Sequence, residues 1–447
     1  MTMNRGCRGV TIDIEAMASS IESKMSDNYS MPSKGCIFKT PSVLSRHNKQ
    51  AYIPDAFFIE PLHHGSQNLK VMDKTKTKYL QDLIDRSPIP SMKLRELITS
   101  IQAVEKEARQ CYADQIAYTP YEFVEILVID GCFIIELFNR GAYRDIRDRY
   151  KLDDPVFTMP CMLRFLQHDL ILLENQVPWM VLELLFNKTN YPGQQMTLIE
   201  LATSFFADMF SSNLHFPNNS VQDVKHIPDL FRKWLISTSR GDHEEGGFEW
   251  KLMPKWLVST IVGKDDEKDR LHWKLVPSAT RLLDAGIKFK RGSPDKCILD
   301  IKFDNGILEI PPLLIHQTTE TAFRNLISFE QCYRCEARIT SYAIFLDNLI
   351  NTSDDMEKLS ERKIVDNLLN PEEATKFFNK LYHDTYVVKF YYENLGLEVN
   401  RFCQRKWPRW RAVLVRNYFG TPWVVLSTLG AVIILILTFI QTYYTIE

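Results

Sequence analysis

Apolar residues recur at spacings of three and four along most of this chain. The runs "KTKYLQDLIDR", "SMKLRELITSIQAVEKEARQCYA", "YEFVEILVIDGCFIIELFNR", "RFLQHDLILLENQVPWMVLELLF" and "MTLIELATSFFADMF" each carry the stripe with which an amphipathic helix buries one face. The second and fourth are long enough for bundle helices. Near the middle the period drops to two. "PSATRLLDAGIKFKRG" starts a short helix at Ser278, stops it at Gly286 and alternates at Ile287 and Phe289. "ILDIKFDNGILEIPP" alternates Leu299, Ile301 and Phe303 with Asp300 and Lys302, turns at Asn305-Gly306, and resumes with Leu308 and Ile310. The helical period returns in "ETAFRNLISFEQCYRCEA", "ITSYAIFLDNLI", "DDMEKLSERKIVDNLLN" and "PEEATKFFNKLYHD", the last opened by Pro371 and a pair of glutamates. The pattern predicts a mainly α fold: one helical domain with a small antiparallel β-sheet insertion near 287–311. "HFPNNSVQDVKHIPD" and "STSRGDHEEGGFEWKLMPKW" predict surface loops.

The end of the chain follows neither period. No charged residue lies between Arg416 and Glu447, and "TPWVVLSTLGAVIILILTFIQTYY" is apolar over about the length a bilayer core requires. The stretch predicts one C-terminal transmembrane helix, residues 421–444. Just before it, Arg401, Arg405, Lys406, Arg409, Arg411 and Arg416 interleave with Trp407 and Trp410. Basic side chains attract anionic headgroups and resist translocation, while indole rings favour the interface. On this reading residues 1–35 are a variable N-terminal segment, 36–400 the helical domain, 401–418 a juxtamembrane segment and 421–444 the span. The lipid bilayer is then a partner, and the main domain faces the cytosol from the plasma membrane or an endomembrane. The N-terminus lacks the apolar stretch of a signal peptide. The glycosylation acceptor patterns beginning at Asn28, Asn187, Asn218 and Asn351 are accordingly expected to stay bare.

Composition changes little. The 447 residues are 45% hydrophobic and 25% charged, which is globular usage with material for a large core. A net charge of -2 gives no global attraction for nucleic acid. The nine cysteines follow no framework spacing and read as thiols in a reducing compartment.

Several phrases together carry a resemblance. "CIFKTPSVLSRHNKQAYIPDAFFIEPLHHG", "EFVEILVIDGCFIIELF", "HDLILLENQVP", "PSATRLLDAGIKFK", "IPPLLIHQTTETAFRNLISFEQC", "ITSYAIFLDNLI" and the C-terminal "KWPRWRAVLVRNYFGTPWVV" resemble, in collinear order, the plant domain-of-unknown-function 247 family. The resemblance implies a plant protein with a C-terminal membrane segment and no established enzymatic activity. It also implies a link to recognition, since some grass members are associated with self-incompatibility. Where the family usually has glycine, this chain has Glu60 before Pro61.

Two phrases concentrate polar chemistry. "FIEPLHHGSQNLKVMD" sets His63 and His64 side by side before Gly65. Adjacent histidines diverge on a helix and face opposite ways on a strand, so a shared metal needs ligands from elsewhere. Glu60 could supply one, but the resemblance makes glycine its usual occupant. A turn whose imidazoles cap main-chain groups is the preferred reading. "HDLILLENQVPW" places Glu174, Asn175 and Gln176 just before Pro178. Glu174 could be a general acid or base only with a partner such as His168, which is not on the same helical face. The alternative is a polar network that satisfies main-chain groups freed around the proline. "DDEKD" at 265–269 reads as a solvated loop, and "CYRC", Cys332 to Cys335, as two core-facing thiols. No phosphate loop, serine elbow or zincin helix occurs.

The sequence therefore assigns no catalytic residue, cofactor or metal. It predicts a membrane-anchored protein that recognises another, unidentified protein. An unrecognised helical enzyme and a membrane tether are the alternatives.

Overall fold

The computed structural model describes residues 13–26, 35–59, 70–87, 89–150, 154–190, 193–209, 221–237, 275–405 and 422–446. Its first half is built around the helix Pro120–Ala142. Thr119 caps that helix in a reciprocal box with Glu122, and Pro120 occupies the first turn, where its missing N–H costs nothing. From Phe123 to Arg140 nearly every side chain is buried, as expected of a helix that is apolar on all sides. Helices Lys70–Asp85, Pro90–Gln110, Trp179–Thr189 and Leu198–Phe205 surround it. Gly131 lets Trp179–Thr189 cross closely: a Cβ there would lie 2.5 Å from Leu185 Cδ1, and that side chain would have to shift.

In the second half, Gln317–Cys332 packs on Arg338–Leu349, with Pro371–Leu381 against both and Ser353–Glu361 against Pro371–Leu381. Asn370 accepts from the Glu372 N–H, and Pro371 opens the last of these helices as predicted. Helix Ile227–Ser237 touches both Leu198–Phe205 and Gln317–Cys332. It joins the halves into one continuous hydrophobic core.

The predicted hairpin is present. β2 (Lys302–Asp304) and β3 (Ile307–Ile310) pair antiparallel across Asn305-Gly306, both at positive φ (48° and 81°), the conformation that favours Asn-Gly in tight hairpin turns. The sheet as a whole is not antiparallel, however. β1 (Lys288–Arg291) lies parallel to β3 in the order β1-β3-β2. The connection 292–301 is long enough to carry the chain past, so that β3 inserts between the other two strands. Leu299 and Ile301, which alternation placed in a strand, sit instead in this irregular connection, where Cys297, Ile298 and Leu299 are all buried. A second sheet pairs β4 (Leu313–Ile315) with β5 (Val365–Asn367), also parallel. It interrupts a run that reads as helical throughout: the helix stops at Glu361, Lys363 takes φ 54°, and Val365 enters the strand.

The long run "RFLQHDLILLENQVPWMVLELLF" is likewise two helices, Pro160–Leu170 and Trp179–Thr189, and not one. Pro178 cannot continue a helical ladder, and the side chains of Asn175 and Gln176 take the carbonyls that the ladder would have used.

The expected fold class also needs correction at the C-terminus. Residues Pro422–Ile446 form a helix, yet among the described residues no helix is long and apolar enough to cross a membrane. A bilayer core takes about 20 predominantly apolar residues, and here Ser427, Thr428, Thr438, Gln441 and Thr442 break the apolar run. Thr438 and Thr442 turn their hydroxyls onto the carbonyls of Ile434 (2.8 Å) and Thr438 (2.7 Å). The fold is thus mainly helical with two small sheets, and the predicted transmembrane helix is withdrawn.

Candidate functional site

Helix Pro160–Leu170 ends inside the core, so the residues that follow must satisfy buried main-chain groups with side chains. Asp169 is fully buried, and its carboxylate accepts the N–H groups of Asp55 and Ala56 (2.8 Å each) and Phe57 (2.6 Å). His168 Nδ1 lies 2.8 Å from the same carboxylate. The Asn175 side chain accepts the Ile59 N–H and donates to the carbonyls of Phe57 and Asp169, at 2.9 Å each. Gln176 donates to the carbonyls of Leu170 and Leu172 (2.7 Å each) and accepts the Ile227 N–H at 3.2 Å. Glu174 accepts the Thr40 N–H at 2.8 Å. Burial raises its carboxyl above the ordinary range, against the lowering pull of that hydrogen bond. Asn325 completes the set: it accepts the Leu173 N–H at 2.9 Å and donates to the Ala51 carbonyl at 2.8 Å. The turn 168–178 therefore grips an N-terminal arm, residues 35–59, at five main-chain positions, Thr40, Asp55, Ala56, Phe57 and Ile59, and Asn325 holds a sixth, Ala51.

Among the described residues, Asp55, His168 and Asp169 could bring metal-ligating atoms within 4.8 Å of one another. Asp169 fits that role poorly. Each of its oxygens already has two contacts, three of the four being main-chain N–H donors, and an ionised carboxylate offers about four lone-pair sites. A metal would have to displace His168. The geometry instead suits an imidazole N–H donor, with Asp55 Oδ2 3.6 Å from the same nitrogen.

A second buried polar cluster was not read from the sequence. Arg140 binds Glu136 (2.9 Å), Asp154 (2.9 Å) and Asp82 (2.7 Å), while Arg86 binds Glu136 in two places. The Tyr79 hydroxyl donates to Asp154 at 2.7 Å, and the Arg140 guanidinium lies over the Tyr79 ring at 3.9 Å. Burial alone would lower the Arg140 pKa; Glu136, Tyr79, Asp154 and Asp82 outweigh it and hold the guanidinium above the ordinary arginine range. The signal available in the sequence was a Glu136/Arg140 pair four residues apart in a mostly apolar helix.

His226 is another buried group that sequence reasoning missed, because residues 215–229 read as a loop. Residues 226–229 are instead built into the core, while Gln222 and Asp223 stay exposed. The Trp179 N–H donates to the Lys225 carbonyl at 2.7 Å, and His226 sits between the Cys36 carbonyl (3.2 Å) and the edge of Phe329. Burial lowers the His226 pKa from 6.5 to about 4, with Lys225 and Lys233 adding to the effect and Asp229 and the Cys36 carbonyl opposing it. Between those values the unfolded chain binds the extra proton. Stability should therefore be complete above pH 6.5 and fall as the pH drops toward 4, by on the order of 3 kcal/mol. Urea midpoints measured across that range should lose part of their acid slope in a His226→Gln variant; an unchanged slope contradicts the assignment.

Of the residues singled out in the sequence, Glu174, Asn175, Gln176 and Pro178 lie together in the turn just described. His168 and Glu174 are not brought together: one contacts Asp169, the other Thr40. Glu60, His63, His64 and Gly65 lie outside the described residues, as do 239–250 and 265–269. Arg405 stands just after helix Glu393–Cys403, its guanidinium 5.6 Å from the centre of the Phe402 ring. Lys406, Trp407, Arg409, Trp410, Arg411 and Arg416 are outside the described residues. Cys332 closes its helix and Cys335 lies beyond it, so the two thiols do not share a helical face.

Residues 37–437 match the model of DUF247, described as a plant protein of unknown function, and the chain belongs to that family. It is similar to the UPF0481 protein At3g47200 of Arabidopsis thaliana, at 28% identity over 91% of this chain and 85% of that one. It is also similar to the putative UPF0481 protein At3g02645 of the same plant, at 22% identity over 91% and 89%. No solved structure matches.

Proposed function

We propose that this protein works by binding another protein, with the helical body and its bound arm serving as a rigid support, and not by catalysis. The observation behind this reading is the use to which the turn 168–178 puts its polar groups. Asp169, Asn175 and Gln176, the side chains an active site would draw upon, bond to main-chain atoms of the arm and of the preceding helix. Catalytic groups need lone pairs or protons left for a substrate. Specificity then falls to surface insertions, which vary without loss of core packing. Residues 226–229 are excluded from that role by their burial, and 239–250, which the sequence reads as a surface loop, is the segment to exchange.

Tagged chains expressed in the native tissue should be compared by proximity labelling. Exchange of 239–250 for the matching segment of a relative should change the set of labelled proteins at unchanged abundance. A Glu174→Gln chain should label the same set as the natural chain. Glu174→Leu leaves the Thr40 N–H unpaired at a cost of roughly 1–3 kcal/mol, so its abundance should fall without a change of partner. A set indifferent to the exchange, together with loss of biological activity in a well-folded Glu174→Gln protein, would refute the reading in favour of carboxylate chemistry.

A further inference from the structure

The arm begins at a pair of cysteines. Ile37 and Tyr112 form an isolated parallel bridge, closed by the Ile37 N–H to the Cys111 carbonyl (2.9 Å) and the Ala113 N–H to the Ile37 carbonyl (2.8 Å). The residues one step back in that register are Cys36 and Cys111, and the Cys36 N–H also donates to the Cys111 carbonyl at 2.8 Å. Register neighbours in a parallel pair have their Cα atoms about 5 Å apart with side chains on one face, inside the range that a disulfide spans. Neither cysteine is in a disulfide here, and the two thiols meet in a hydrogen bond. Cys36 is 1% exposed, whereas Cys111 is partly exposed at the end of helix Pro90–Gln110, with its sulfur 3.5 Å from the Glu107 carbonyl.

We propose that Cys36 and Cys111 are a modification site: a thiol pair that closes to a disulfide when it meets a low-molecular-weight disulfide such as oxidised glutathione, clasping the arm to the end of helix Pro90–Gln110. Accessibility sets the order of events. Cys111, as thiolate, attacks one sulfur of oxidised glutathione, forming a mixed disulfide and releasing one glutathione thiolate. Cys36 then gives up its proton and attacks the Cys111 sulfur, which expels the second glutathione. Two protein thiols lose two protons and two electrons, and one oxidised glutathione becomes two reduced ones. The contact with Cys111 and the burial of Cys36 keep its thiol far above the ordinary cysteine range. The second step is therefore the slow one, and the pair survives as thiols in a reducing compartment. This inference rests on the arm's geometry and not on the protein-binding reading.

The test incubates the full chain with oxidised glutathione, blocks remaining thiols with iodoacetamide and maps peptides without reduction. The expected product is a peptide linking Cys36 to Cys111 without bound glutathione. It should be accompanied by a Tm rise of about 5–10 °C that dithiothreitol reverses, because the bond closes a long loop in the unfolded chain. In a Cys36→Ser chain, glutathione should stay on Cys111 and the Tm should not rise. Cys111 carrying glutathione beside an alkylated Cys36 in the natural chain, or Cys36 joined to a different cysteine, overturns the proposal. The map of the natural chain decides the matter even if a variant fails to fold.

Discussion

Replacing Arg140 by methionine should destabilise the protein by about 3–5 kcal/mol, the range for removing one partner from a buried ion pair. The guanidinium is 1% exposed and serves three carboxylates that are no more than 4% exposed. Methionine fills similar space but leaves Asp82 and Asp154 without this cation, and Glu136 with only Arg86. The effect reaches beyond one pair, because Asp154 also caps the helix Pro155–Thr158 through the Val156 N–H, and Tyr79 needs Asp154 as its acceptor. Denaturant unfolding of the two proteins measures the loss. A cost under about 1 kcal/mol would mean that the carboxylates find water or protons where the structure holds them dry.

The second large effect is expected at Asp169. Asparagine has the same shape, but its amide nitrogen must face either the Asp55 N–H and His168 or the N–H groups of Ala56 and Phe57. Donor then meets donor, and at least one main-chain N–H loses its acceptor in the core. A charge-assisted hydrogen bond and the penalty for an unpaired buried donor together put the cost at about 2–4 kcal/mol. The loss should be local in character. The arm is held as well by Asn175 and Asn325, and the Pro120–Ala142 helix makes no use of Asp169. Proteolysis within residues 35–59 should accelerate in Asp169→Asn before the global unfolding midpoint accounts for it. Equal sensitivity of arm and bundle would contradict that separation.

These two sites differ in how far the sequence announced them. The Pro120–Ala142 helix was legible from its period and from Thr119, Pro120 and Glu122, all local signals. The Asn305-Gly306 hairpin was legible for the same reason. What escaped was non-local. Arg140 meets an acid 58 residues before it and another 14 after it, and Asp169 binds main-chain N–H groups 112 to 114 residues upstream. No periodicity encodes such pairings. β5 was missed because its partner β4 lies about fifty residues earlier, and three residues such as Val365–Asn367 carry no signal of their own. "HDLILLENQVP" was rightly noticed as dense in polar groups. The sequence could not say that Asn175 would prefer the carbonyls of Asp169 and Phe57 to a further helical turn, nor that Glu174 would bind Thr40 and not His168. At the C-terminus, the apolar run read as a span is not matched by a helix long and apolar enough to cross a membrane among the described residues.

The central claim is that the turn 168–178 is a clamp on the N-terminal arm. Native-state amide exchange tests it most directly, because Ala56, Phe57 and Ile59 donate their N–H groups to Asp169 and Asn175. The account predicts that these three amides exchange about as slowly as those of the Pro120–Ala142 helix in the natural chain, and that in Asp169→Asn the Ala56 and Phe57 amides become fast while the helix stays protected. Fast exchange at all three in the natural chain would contradict it, for the arm would then not be held, and the polar groups of the turn would be free for chemistry.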